Sequence, residues 1–128
     1  MKFTIKQTES YAVLSLQEKQ LNSMCAPELK SQIHNIVNEG CCNIVLDLKE
    51  VDFVDSSGLS GILLGHRACR EAGGLFFLAE SQAFVMRLIT ISKLNDQLDM
   101  ADTVLDAQDL IMKNELRKEI EGNGQGDN

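Results

Sequence analysis

The residues best placed to do chemistry are Asp55-Ser56-Ser57-Gly58-Leu59. They follow a short apolar run, Ile44-Val45-Leu46-Asp47-Leu48, and open a segment with helical spacing. If Asp55 is the N-cap, Val54 precedes the cap and Leu59 is the fourth helical residue, the arrangement of a hydrophobic staple. Ser56 then falls in the first helical turn. If Ser56 is itself the cap, its hydroxyl still lies beside the unpaired N–H groups that end a helix. Those groups and the helix dipole both favour an anion. A phosphoryl group carries about −1.5 to −2 charges at pH 7, and here it would arrive beside Asp52 and Asp55. The fold need not change. A partner packed on the bare hydroxyl would instead meet bulk, a hydration shell and an unpaired charge. Gly58 and Gly61 put no bulky side chain on these first turns, so a protein partner is expected to approach the backbone there. Asp-Ser-Ser is also a common helix cap, and spacing alone does not show phosphorylation.

The other reactive side chains do not assemble into a catalytic or metal site. A serine nucleophile needs a base within hydrogen-bond reach. His66 sits further along the same expected helix, roughly 15 Å away at about 1.5 Å per residue, and Gly-x-Ser-x-Gly is absent. His34 belongs to a different expected helix. His66 and Cys69 are suitably spaced to share a helix face, but no spacing supplies two further metal ligands. Cys25, Cys41, Cys42 and Cys69 contain no Cys-x-x-Cys pair and read as small, mostly buried apolar residues in a reducing compartment. Gly73-Gly74 lacks the longer pattern and the Lys of a phosphate loop. The expectation is a non-enzyme with no cofactor and no metal.

Elements must position Ser56, and the rest of the chain supplies them. Lys2–Lys6 and Tyr11–Leu16 read as strands joined by a polar turn, an antiparallel hairpin. Gln17–Asn22 is polar and irregular. A helix begins near Pro27, with Leu29, Ile33, Ile36 and Val37 on one face and Gly40 as its stop. Ile44–Leu48 suits a strand covered on both sides. The motif helix runs from about Ser57 to Ala72, with an inner stripe of Leu59, Ile62, Leu63, His66 and Cys69 or Arg70. Leu75–Ala79 is a buried strand. Ser81 can cap a third helix with Phe84, Leu88 and Ile91 in register. Gln97–Met100 is a final strand. Asp102 or Thr103 can cap a fourth helix, with Val104, Ala107, Leu110 and Ile111 on one face. Residues 113–128 read as a helix extension and, from Gly122, a disordered polar tail. The expected class is α/β: a mixed sheet, with an opening antiparallel hairpin and then parallel crossovers, packed with about four helices.

Composition bounds the partners. With 128 residues the chain is of single-domain length. Lys and Arg number 12 against 19 Asp and Glu, a net charge of −7. Such a chain should repel nucleic-acid phosphate and anionic membrane. Trp is absent and Tyr occurs once, which disfavours a base-stacking platform. No apolar run has transmembrane length, and the first residues lack the apolar stretch of a signal peptide, so a cytoplasmic protein is expected.

Val51–Gly65, following Asn43–Leu48, resembles the core signature of the STAS-domain anti-sigma factor antagonists, and the similarity extends over residues 2–112. The resemblance implies a STAS domain, non-enzymatic, acting as the docking half of a partner switch. The unmodified antagonist would bind an anti-sigma factor, commonly a serine kinase with a histidine-kinase-like fold, and so free the sigma factor. The kinase would phosphorylate Ser56 and a separate phosphatase would reset it. Asp55 would lie next to the acceptor, and Ser57 and Gly58 would shape the turn. Family members often carry Gly-Glu-Leu-Asp after the second strand, where this chain has Lys19-Gln20-Leu21-Asn22. Asn22 would keep the hydrogen-bonding shape of that Asp without its charge. The partner-binding set is therefore Asn22, Asp55, Ser56, Ser57, Gly58 and Gly61. The alternative is a non-switching STAS subunit of a lipid-transport or stress-signalling complex, in which the serine is unused.

Overall fold

The computed structural model describes residues 1–126, with side chains to residue 122. The strands are β1 (Phe3–Gln7), β2 (Ala12–Leu16), β3 (Gln20–Leu21), β4 (Ile44–Asp47), β5 (Phe53–Val54), β6 (Phe76–Ala79) and β7 (Asp99–Ala101). The helices are α1 (Ala26–Asn38), α2 (Ser56–Glu71), α3 (Ala83–Ile91) and α4 (Val104–Gly126). The main sheet has the order β1-β2-β4-β6-β7. β1 and β2 form the expected antiparallel hairpin, with Phe3 opposite Leu16 and Gln7 opposite Ala12. β4, β6 and β7 add in parallel.

Both sheet faces are covered, which is why β2, β4 and β6 are apolar along their length. Leu14, Leu16, Ile44, Leu46, Phe76 and Leu78 share one core with Leu29 and Ile33 of α1, Ile62 and Cys69 of α2, and Val85 and Ile89 of α3. Val13, Val45, Phe77 and Ala79 point the other way, onto Ala107 and Ile111 of α4. One buried polar residue ties the layers together. Asn43 is 1% exposed. Its Nδ2 donates to the Ser10 carbonyl and to Glu115 Oε1, both at 2.8 Å. Its Oδ1 accepts from the Leu75 N–H at 2.8 Å. The opening hairpin, β6 and α4 are thus joined through one carboxamide, and every polar atom of that side chain is paired.

Several expectations are corrected. The α2 stripe is turned toward Gly58, Gly61, Ile62, Gly65 and Cys69. Leu59, Leu63 and His66 are only half-buried, and Arg70 is exposed. Glycines add nothing to an apolar count, yet here they let helices close in. A Cβ on Gly61 would lie 3.0 Å from Leu29 Cδ2, and one on Gly65 would lie 2.5 Å from Phe76 Cε1. In α3 the buried residues are Val85 and Ile89, while Phe84 and Ile91 are exposed. That helix is apolar nearly all round, so its spacing fits more than one face. Its N-cap is Gln82, and Ser81 Oγ has no hydrogen-bond partner among the described residues. Thr103 does cap α4, accepting from the Asp106 N–H at 3.0 Å, but Leu110 is exposed. α4 continues through Gly126, where a polar tail was expected from Gly122. Extending a formed helix costs far less than starting one. The last two residues of the expected tail lie outside the described residues. Finally, Gln20–Leu21 and Phe53–Val54 form a separate two-stranded parallel sheet that periodicity does not reveal.

A candidate phosphoacceptor and docking surface

Asp55 is the N-cap of α2, in extended backbone with φ −96° and ψ −174°. Its Oδ1 accepts from the Gly58 N–H at 2.9 Å. Its own carbonyl accepts from the Leu59 N–H at 2.9 Å, closing the first helical turn. Ser56 and Ser57 are the first two helical residues, and their N–H groups have no acceptor among the described residues. Val54, before the cap, is buried, and Leu59 packs against the same core. This is the staple geometry expected from the sequence. Ser56 is exposed and Ser57 half-buried.

The small sheet holds this helix start against a second chain segment. Gln20 lies opposite Phe53 and Leu21 opposite Val54. The Leu21 carbonyl then accepts from the Asp55 N–H at 3.1 Å. Next to it, Asn22 begins a turn: its Oδ1 accepts from the Met24 N–H at 3.0 Å, and its carbonyl accepts from the Cys25 and Ala26 N–H groups. Asn22 thereby serves as the Asx-type turn that leads into α1. The Leu21–Asp55 bond brings Asn22 close to the start of α2, but Asn22 lines one surface depression with Gln20 and Met24, while Ser56 and Ser57 line another.

Gly58 and Gly61 do not belong to that surface. Both are buried, so the expected exposed glycine backbone is corrected to an internal one. A Cβ on Gly58 would collide with the Leu21 carbonyl oxygen and lie 2.8 Å from Val54 Cγ1. Gly58 has no side chain because the helix start must press against β3. It lets the start of α2 close on β3 and puts no side chain on the surface.

The structure adds residues that motif reading missed. Ser56, Ser57 and Ser60 line an open depression of about 280 Å³ with Ser23, Pro27 and Lys30 of the α1 entry. Lys30 sits one helical turn after the first turn of α1, and nothing in its sequence context marks it. Met24 is 85% exposed on the same turn as Asn22. Phe53 is 40% exposed and stacks on Phe84, with ring centroids 5.8 Å apart. Met24 follows the Asn22 turn and Phe53 precedes the motif in the chain, so each adds exposed apolar surface next to one of them in sequence.

Among the remaining reactive groups, Cys41 and Cys42 lie near Cys69. The described residues hold no cluster of three or more His, Cys, Asp or Glu able to bind a metal. All four cysteines are free thiols; Cys25, Cys41 and Cys69 are buried. Burial pushes the Cys69 thiol up to about 12, with Cys42 and Cys41 adding to it, and burial also raises Cys41. Cys41 and Cys69 are therefore inert thiols at neutral pH. No described helix is long and apolar enough to cross a membrane.

Comparison with known proteins agrees with this fold. A family model described as the STAS domain matches residues 2–107. A Bordetella bronchiseptica protein named "Putative anti-sigma factor antagonist BtrV" is 30% identical over 92 residues, covering 72% of this chain and 78% of that one. The crystal structure of "a putative anti-sigma factor antagonist (tm1081)" from Thermotoga maritima superposes with a TM-score of 0.76 at 25% identity. It covers 86% of this chain and 94% of that chain. The Bacillus cell fate determinant SpoIIAA in its phosphorylated form shares the fold, with a TM-score of 0.67 at 20% identity, over 86% of this chain and 99% of that one.

Proposed function

The chain belongs to the STAS-domain family of anti-sigma factor antagonists, and on that premise we propose that Ser56 is the phosphoacceptor of a partner switch. The observation that carries this reading is an exposed Ser56 in the first turn of α2, beside unpaired N–H groups. In its unmodified form the chain docks an anti-sigma factor, a serine kinase of histidine-kinase-like fold, and so releases the sigma factor. The kinase transfers the γ-phosphoryl group of ATP to Ser56 Oγ, ADP leaves, and the hydroxyl proton is released. A separate phosphatase hydrolyses the ester and restores the serine.

Electrostatics supports a switch that acts on the partner and leaves the fold intact. The helix N-terminus favours the added charge by about 0.3–1 kcal/mol, and Lys30 lines the same depression. The host helix therefore tolerates the phosphate. A partner seated on Met24, Asn22 and Ser56 would lose its contact with the hydroxyl and would have to desolvate a dianion. Asn22 shapes the α1 entry without adding charge beside that dianion.

Incubation with the cognate kinase and ATP, followed by mass spectrometry, is expected to place the phosphate on Ser56. Modification only at Ser57 or Ser60 would overturn the assignment. Ser56→Ala is expected to block phosphorylation and keep binding, whereas Ser56→Asp and Ser56→Glu weaken it. A partner that binds equally before and after kinase treatment would mark the chain as a permanently docked STAS subunit instead.

A further inference from the structure

The outer face of α4 carries an apolar stripe that the domain does not cover. Leu105, Met112, Leu116 and Ile120 are 70%, 46%, 57% and 63% exposed. At about 100° per residue these four side chains fall within roughly 80° of one another. They lie on the far side of the helix from Ala107 and Ile111, which pack on the sheet. α4 is thus apolar on two faces, and only one is buried in the chain.

Charge along the stripe identifies the occupant. Asp109 falls within the stripe, and Asp106, Lys113 and Arg117 follow along one edge of it; all four are exposed. Acid comes first and base follows, so the edge is complementary to itself when reversed. In an antiparallel helix pair the same edges of the two helices face each other. A twofold axis near Met112 would place Asp106 opposite Arg117 of the partner subunit and Asp109 opposite Lys113 of the partner subunit. The same axis sets Leu105 against Leu116 and Ile120 of the partner subunit. Apolar and charged registers agree on a single alignment, the self-complementarity a twofold interface requires.

We propose that α4 is the interface of a homodimer, in which a second copy of this chain lays its own α4 antiparallel along the Leu105–Ile120 stripe. The pair is a small interface by the usual measure of about 800 Å² per partner, so the dimer dissociates on dilution. α4 covers the sheet face opposite that of α1, α2 and α3. Dimerisation therefore leaves both Ser56 surfaces open and presents two docking sites per particle.

Sedimentation velocity over a concentration series tests this on the full chain. The parent is expected to move from monomer to dimer mass with rising concentration, and Leu116→Glu to stay monomeric with unchanged circular dichroism. Asp109→Lys alone is expected to weaken association at least several-fold by setting Lys against Lys. Asp109→Lys with Lys113→Glu restores it, because the reversed edge is again self-complementary. A parent that stays monomeric throughout, a Leu116→Glu variant that still dimerises, or a double reversal that rescues nothing would each overturn the proposal. So would a monomeric parent whose binding to an anti-sigma factor is lost on Leu116→Glu, since the stripe would then belong to another protein.

Discussion

Replacing Gly58 with alanine separates helix propensity from packing, because the two predict opposite signs. Alanine in place of glycine in a helix is worth about 0.5–1 kcal/mol of added stability. At Gly58 the new methyl would collide with the Leu21 carbonyl oxygen and sit 2.8 Å from Val54 Cγ1, where ordinary contact begins at 3.4 Å. A side chain such as Val54 can rotate, but the Leu21 carbonyl is backbone and already bonds the Asp55 N–H. The start of α2 and β3 must therefore part by roughly 1 Å to restore normal separation. Overpacking of this kind costs about 1–3 kcal/mol. Against the propensity gain, the net expectation is a loss of roughly 1–2 kcal/mol. For a domain of this size that lowers the urea midpoint by about 0.5–1 M. Gly122→Ala serves as the control: a Cβ there meets nothing within 4 Å, so its midpoint holds or rises. Kinase-dependent labelling of Ser56 should fall in Gly58→Ala as well, since the acceptor turn moves with the helix start. A Gly58→Ala protein as stable as the parent would refute the reasoning, for it would mean that β3 does not brace the motif.

Three further outcomes follow from Asn43 and the cysteines. Asn43→Ala leaves the Leu75 N–H and the Ser10 carbonyl without their partner and Glu115 with Lys118 alone, and is expected to cost about 2–4 kcal/mol; urea titration measures the loss, and faster hydrogen exchange at the Leu75 amide localises it. Iodoacetamide near neutral pH should label Cys42, the half-exposed thiol, well before Cys69, whose folded value is about 12 against an ordinary 9.0. Because the unfolded chain releases that proton first, the stability contributed by the Cys69 thiol is lost as pH rises from 9 toward 12. A thermal midpoint that climbed with pH across that window would contradict the burial of Cys69.

Much of this architecture can be read from residue patterns, and the failures share a cause. Ile44–Asp47 and Phe76–Ala79 announce themselves as covered strands by continuous apolar character. Asp55 announces a cap by type and position, and the structure confirms it through the Gly58 N–H. Patterns fail where the signal is not a side chain. Gly61 and Gly65 form part of the inward face of α2 because they lack a side chain, and an apolar stripe cannot register them. β3 and β5 are two residues each, too short for any period, and they exist because Leu21 and Val54 are buried together. The Ser56 position was legible as a helix start. Its neighbours across the depression, Ser23 and Lys30, were not, because they come from a different part of the chain and meet it only through packing. Asn43 was invisible for the same reason, since its partners lie at Ser10, Leu75 and Glu115.

The pairing of Gln20–Leu21 with Phe53–Val54 bears on how recognition of Ser56 should be studied. A synthetic peptide spanning the motif would carry every letter of Asp55–Leu59 and still lack the wall that Leu21 provides. Free in water, so short a segment has little helix to offer, and its serine would sit in an ensemble with no fixed N–H groups beside it. Peptide arrays and linear decoys are therefore poor substitutes for the intact domain, and a modifying enzyme that accepts the domain while ignoring the peptide is reading shape assembled from two distant stretches of chain.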